Sequence, residues 1–511
     1  MLVDGQAEGP VPAPGGSWLN RHRYLALSMV VLVLTGIQTL NGQWSSDMWE
    51  HVAVVRELIA EPFDPRHPQL LSDAAHPGFS PYSVLLGMVG NLLQVSALTV
   101  LSWAAIANVG LLLVALRALV REVTGNDRAP FWALLFVLLL WGPGPYRYSG
   151  FFGLNSIGFV APYPSTFATA VAFATLVAAI RFARHGATRH LAAVSVGGAL
   201  VLLVHPLTAP WLAGALVVVG LLQVLPARRL GSFAMAGLGA VVLSVAWPYF
   251  SVVDLVLDSG DLEGLNRSMY SGVLLRTFPV LLGLVPVIRR WRADHRDLLA
   301  GWLAGTLVLY GLGAAVDNTS LGRSLAFVVV LLAIALADWV GRIEAVQGFR
   351  RAPVAAAGLT LLLVLGVVAS RGGLVRMVPD PLLPGSVRRS PELVRPDERY
   401  SFLVDAVGRT DVVAAAAKGD NRVIPALAGR TLTLAAPRPF LDDLRERERA
   451  QREIFDTDTD PARRRDLLDR HQVRFVLLRR DDPRTPILLE ELLRESADEV
   501  AEVRGFVLLR R

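Results

Sequence analysis

Residues 24–60 read YLALSMVVLVLTGIQTLNGQWSSDMWEHVAVVRELIA, and this stretch decides the fold. Its opening, residues 24–41, is a mainly apolar run of the length a helix needs to cross a bilayer, ~20 residues. The second half has a different pattern: Met48, Val52, Val55 and Ile59 fall on one helical face, whereas Asp47, Glu50 and His51 share another. A span that runs into an amphipathic helix carrying acids and a histidine predicts a membrane protein with an ordered structure at the bilayer surface.

Composition agrees. Of 511 residues, 53% are hydrophobic and 18% charged, and mean hydropathy is +0.45, which excludes a single soluble domain. Further apolar runs lie near 97–117, 130–144, 165–183, 190–205, 208–225, 231–250, 273–288, 297–316, 323–341 and 353–370, giving eleven predicted spans with the first. Residues 1–20 are Gly/Pro-rich and polar, a disordered cytoplasmic lead with no convincing cleavage site, so the first span reads as an anchor. The run from Pro81 to Val95 is either a twelfth crossing or a segment dipping into the outer leaflet. Arginine decides, because short cytoplasmic loops are enriched in it. With eleven spans, seventeen arginines between Arg21 and Arg351 fall inside and six fall outside: Arg56, Arg66, Arg147, Arg267, Arg276 and Arg323. That ratio favours the dip and places everything after Ser370 on the exported side.

The net charge of +6 comes almost wholly from arginine, with Lys418 the sole lysine, and is read as topology rather than nucleic-acid affinity. The arginine and alanine bias suggests a high-GC bacterium and hence its plasma membrane. No cysteine is present, which excludes disulfides, thiolate metal sites and a thiol nucleophile. The tail, residues 371–511, is charged and alternates β-like runs (Val412–Ala416, Thr431–Ala435, Val473–Leu478, Gly505–Leu509) with helical periods (Asp442–Phe455, Ile487–Val500), which predicts a small α/β domain in an accessory role. The expected fold is thus mainly α: a polytopic helical domain over 21–370 followed by a small exported α/β domain.

Chemistry is sought first in the external loop 42–96, since long loops between spans are commonly functional. Asp47 can cap the following helix, or it can act as a general base with His51 tuning it; the two roles are compatible. A metal site from His51, His67 and His76 has no sharp ligand spacing behind it, and dependence on a divalent metal is left open. His76-Pro77 is also a plausible plain turn.

The order of a basic amino terminus, one span, an acidic residue just outside it, a juxtamembrane helix and the segment His76-Pro77-Gly78-Phe79-Ser80-Pro81-Tyr82 resembles the membrane-embedded GT-C glycosyltransferases, including protein O-mannosyltransferases, aminoarabinose transferases and actinobacterial arabinofuranosyl- and mannosyltransferases. Many relatives place two adjacent acids in this loop; here Ser45-Ser46 precede a lone Asp47, with Glu50 the next acid. The resemblance implies inverting transfer of a sugar from a polyprenyl-phosphate carrier to a cell-envelope glycan, lipid or protein, with Asp47 as base, Glu50 and His51 beside it, and His76 and Tyr82 toward the substrate.

Such a reaction needs cations for the leaving phosphate, and arginine at the membrane edge is costly enough to suggest a role. Arg276, at a span start, and Arg323, in the segment Asp317–Arg323, are the candidates, the first favoured; an ion pair with Asp317 or snorkelling explains Arg323 equally well. Arg147, in the irregular stretch Gly142–Tyr163, and His205, at the turn His205-Pro206, face the same side, where His205 also fits a hydrogen-bonded turn residue. Two rivals make different demands: a flippase for a lipid-linked sugar calls for inverted repeats, and a non-catalytic scaffold would use its tail to bind partners.

Overall fold

The computed structural model describes residues 16–511 except 43, 45–46, 144–147, 258–268, 347–352, 388–395, 437–438, 495–497 and 504. Among the described residues six helices are long and apolar enough to cross a membrane: 22–40, 97–124, 164–185, 227–245, 298–315 and 320–346; a pair bent by 56° at Ser370 makes a seventh if it is counted as one span. The predicted runs 130–144, 190–205 and 208–225 form shorter apolar helices, Ala129–Leu139, Thr188–Val204 and Ala209–Leu222. The run 273–288 is not one helix. It breaks into Val273–Thr277, a tight 3₁₀ segment Phe278–Gly283 and Leu284–Ala293. Pro279 removes a backbone donor there, and Gly283 lies so close to the next helix that a Cβ on it would stand 2.3 Å from the Leu332 carbonyl oxygen.

The helix Leu325–Val346 forms the centre of the bundle. It is apolar on nearly every side and buried from Leu325 through Asp338, as expected of a helix enclosed by others. The bundle end that holds most of the arginines is fastened by ion pairs: Arg290 reaches Asp297 and Asp338, each at 2.7 Å, Arg342 meets Asp338 at 3.1 Å, and Arg23 meets Glu344 at 2.5 Å. Glu122 holds Arg181 and Arg184 at 2.9 and 2.7 Å.

The opposite end carries the first loop. Its helix Met48–Ala60 packs on Pro81–Leu93, which has 13 residues, short for a crossing. Gly87 allows the approach: a Cβ on it would sit 2.4 Å from the Leu58 Cβ.

The tail builds one five-stranded sheet from β1 (Val412–Ala415), β2 (Arg430–Thr431), β3 (Val473–Arg479), β4 (Asp498–Val503) and β5 (Phe506–Arg510), in the order β2-β1-β3-β5-β4. β1 pairs in parallel with β2 and β3, and the β4–β5 hairpin adds antiparallel to β3. The helical period read over Ile487–Val500 ends at Arg494, and β4 begins at Asp498. The hairpin turns at Gly505, whose φ of +82° suits glycine. The strand expected over Thr431–Ala435 covers only Arg430–Thr431.

The sheet domain is joined to the first loop rather than hanging free. Leu70 bridges Thr431 in parallel, Thr431 donates its N–H to the Gln69 carbonyl at 2.8 Å, and Leu70 packs on Leu434 and Leu444. Arg430 pairs with Glu57 at 2.5 Å, both buried, and donates to the Pro68 carbonyl at 2.5 Å.

Candidate active site

Four side chains of one helical stripe, Asp47, Glu50, His51 and Val54, form a wall of a cavity of about 230 Å³. Their spacing of three or four residues puts them on one side of the helix. The opposing walls come from separate elements: His76, Pro77, Gly78 and Ser80 from the loop, Ser149 from the segment before the Leu154–Val160 helix, Tyr163–Ser165 at the head of Pro164–His185, and Val204, His205 and Leu207 at the end of Thr188–Val204.

Asp47 occupies the N-cap position, yet its side chain makes no capping hydrogen bond. The cap role weighed for it is therefore carried by its backbone carbonyl, which accepts from the N–H groups of Glu50 and His51 at 3.1 and 3.2 Å. The carboxylate, 51% exposed, pairs with Arg422 at 3.2 Å. The same guanidinium meets Glu50, only 6% exposed, at 3.0 Å. Arg422 belongs to the tail helix Lys418–Leu427. Nothing in its surrounding sequence marks it, because its partners lie in a loop 372 residues earlier.

The histidines are held neutral. Burial lowers His51 to about 4, against the opposing pull of Asp47, and its ring lies 4.7 Å from that of Tyr163. Burial, then the neighbouring His51, lowers His76 to about 3. His76 Nδ1 accepts the Gly78 N–H at 3.0 Å, and a Cβ on Gly78 would come within 2.7 Å of that nitrogen. His67 stands behind His76, its ring centroid 5.0 Å away, with Nδ1 accepting from Leu70 N–H at 3.0 Å. Among the described residues no group of three or more His, Asp and Glu side chains converges on a metal position.

Proton binding by His51 and His76 has a consequence for stability. Both bind protons more weakly folded than unfolded, where the value is 6.5, so their contribution is complete above about pH 6.5 and is lost as pH falls toward 4. We expect thermal unfolding of the purified protein to move down in temperature between pH 7 and pH 5, with the slope reduced in His51→Gln and His76→Gln; a slope unchanged in both variants contradicts this.

His205 lines the cavity and is also a hydrogen-bonded turn residue: Nδ1 meets the Thr208 hydroxyl at 2.7 Å and Nε2 the Ser149 hydroxyl at 3.3 Å. Arg323 donates to the Ser149 carbonyl at 3.0 Å and lies 4.9 Å from the Tyr148 ring centroid; its Nε is buried without a hydrogen-bond partner. It is electrostatically coupled to both Asp47 and His205.

The structure does not assemble every candidate. Neither Arg276 nor Arg323 is among the cavity-lining residues: Arg323 reaches the site only through its hydrogen bond to the lining residue Ser149, and Arg276 sits on the short Val273–Thr277 helix, where its carbonyl accepts the Gly142 N–H at 2.7 Å. Tyr82 is also absent from the lining. Its hydroxyl donates to the Pro162 carbonyl at 2.7 Å and accepts from Asn108 at 2.9 Å, which fixes the start of one helix against two others. Arg147 lies outside the described residues.

The fold, a polytopic helical bundle followed by a small α/β tail, is similar to that of several solved membrane glycosyltransferases. Arabinofuranosyltransferase AftD from Mycobacteria aligns with TM-score 0.60 and 17% identity over 96% of this chain and 41% of its own. ArnT from Cupriavidus metallidurans bound to undecaprenyl phosphate aligns with TM-score 0.57 and 13% identity over 95% of this chain and 97% of its own. The apo oligosaccharyltransferase of Archaeoglobus fulgidus aligns with TM-score 0.53 and 12% identity over 91% of this chain and 70% of its own. No protein-family model matches the sequence, and no curated protein matches it at the sequence level.

Proposed function

We propose that this chain is an inverting glycosyltransferase that moves a sugar from a polyprenyl-phosphate donor to a cell-envelope acceptor at the outer face of a bacterial plasma membrane. One observation carries the reading: Asp47 lines a cavity that Ser149 and His205 also line, and the buried guanidinium of Arg323 donates to the Ser149 carbonyl. The fold supports it, since ArnT of that fold is bound to undecaprenyl phosphate and the archaeal oligosaccharyltransferase has been captured with a dolichol-phosphate.

In this mechanism Asp47 takes the proton of an acceptor hydroxyl as its oxygen attacks the anomeric carbon. The bond from that carbon to the phosphate oxygen breaks, and the electron pair leaves with the polyprenyl phosphate. Arg323 stabilises the growing negative charge, its planar fork suited to phosphate oxygens. Attack from one face and departure from the other invert the anomeric centre, by the geometry that governs inverting glycosidases. The arginine-rich end of the bundle then faces the cytoplasm, and the tail and cavity face outward.

Purified protein given a panel of polyprenyl-phosphate sugars and envelope acceptors tests this: release of polyprenyl phosphate that depends on the acceptor supports transfer, whereas no release from any donor overturns it. In the same assay Arg323→Gln is expected to lower kcat/KM by about 10²–10³-fold, and Arg323→Lys to recover part of it, since the charge returns without the fork. An Arg323→Gln enzyme with wild-type kcat/KM contradicts the role given to this residue.

A further inference from the structure

The tail is more than an accessory domain. We propose that Arg422 is a positioning residue of the active site, which holds the Asp47 and Glu50 carboxylates ionised side by side and so keeps Asp47 able to accept a proton; this rests on Asp47 being the base.

Asp47 and Glu50 lie one turn apart on the same helical stripe, where like charges raise each other's affinity for a proton. Glu50 is buried, so its ionised form needs a compensating charge close by. Arg422 supplies it to both: Nη2 stands 3.2 Å from Asp47 Oδ1 and Nε 3.0 Å from Glu50 Oε1. Among the described residues, the charged and titratable groups that act on Asp47 include His51 on its own helix, kept neutral by burial, the Tyr163 phenol beside that ring, and Arg323 behind Ser149. Arg376, above the Phe159 ring, acts on Tyr163, and His76 lies beyond His51.

Rigid docking sets the reach of Arg422. Its helix receives a hydrogen bond from Arg56 to the Pro425 carbonyl at 3.1 Å. The following strand is fixed by the buried Arg430–Glu57 pair and by Thr431 on Gln69. Glu57 and Arg56 sit on the helix that Asp47 heads. One guanidinium from the tail therefore meets the base through a frame anchored on the base's own helix.

Carbodiimide coupling of an amine to protonated carboxyls, read by mass spectrometry on the peptide containing Asp47 and Glu50, tests this on the full-length protein without relying on turnover. The pH midpoint for Asp47 labelling is expected to rise by about one unit or more in Arg422→Gln, to stay near wild type in Arg422→Lys, and to fall again in the Arg422→Gln/Glu50→Gln double variant. A midpoint unmoved in Arg422→Gln overturns the proposal. Should Arg422→Gln fail to fold, Glu50→Gln alone decides: its Asp47 midpoint must fall below that of the wild type, and an unmoved one overturns the proposal. A midpoint that moves as expected in a protein showing no transfer with any donor supports the role of Arg422 while refuting glycosyl transfer.

Discussion

Asp47→Asn is expected to lower the rate of acceptor-dependent polyprenyl phosphate release by about 10²–10⁴-fold, the range that a positioned general base contributes. The substitution keeps the shape of the side chain and removes its ability to take a proton. Because Asp47 is half exposed and does not cap its helix through its side chain, the variant should fold and unfold near the wild-type temperature. Donor affinity should change little, since the proposed mechanism assigns the phosphate to Arg323 and not to Asp47. Asp47→Glu retains the carboxylate but lengthens its reach, so intermediate activity is expected. Single-turnover kinetics separate the chemical step from release of product, and full activity in Asp47→Asn excludes it as the base.

The largest effect on stability is expected where the tail grips the first loop. Arg430 and Glu57 are 3% and 1% exposed and 2.5 Å apart. Removing one member of a buried pair costs about 3–5 kcal/mol where the other charge is left alone; Glu57 keeps Arg409 at 3.5 Å and the Arg66 N–H at 3.2 Å, so the cost of losing Arg430 is expected at the lower end of that range. Arg430→Met removes the hydrogen bond to the Pro68 carbonyl as well, whereas the Arg430→Met/Glu57→Leu double variant removes both charges and should be less harmful than the single change. Limited proteolysis and thermal unfolding report the outcome. Arg430→Met should expose the tail to cleavage, and a variant as resistant as the wild type contradicts the docking described above.

These residues also show how much a sequence discloses. The helix after the first span was legible because its apolar positions recur at helical spacing, and Asp47, Glu50 and His51 do fall on one wall. His205 was legible as a polar break in an apolar run, and His76 through its place in the segment His76–Tyr82 of the first loop. Tyr82 and Arg276 carried the same kind of signal, yet Tyr82 is taken up by Pro162 and Asn108, and Arg276 sits on a segment that Pro279 breaks. Hydropathy sees one span there because it averages over the break. β4 was missed because Asp498–Val503 is half charged and sits beside a true helix, so its alternation is short and ambiguous. Arg422 and Arg430 had no local signal. Their meaning depends on parallel pairing of the sheet edge with a distant loop, which no periodicity encodes.

The central claim is that one cavity holds the base on one wall and the phosphate on the other. The most direct measurement is a structure of the protein with polyprenyl phosphate bound. The account predicts the phosphate within hydrogen-bond distance of Arg323, with open space between it and Asp47 for a sugar ring. A phosphate held at the arginine-rich end of the bundle, or at Arg276 away from this cavity, would contradict it.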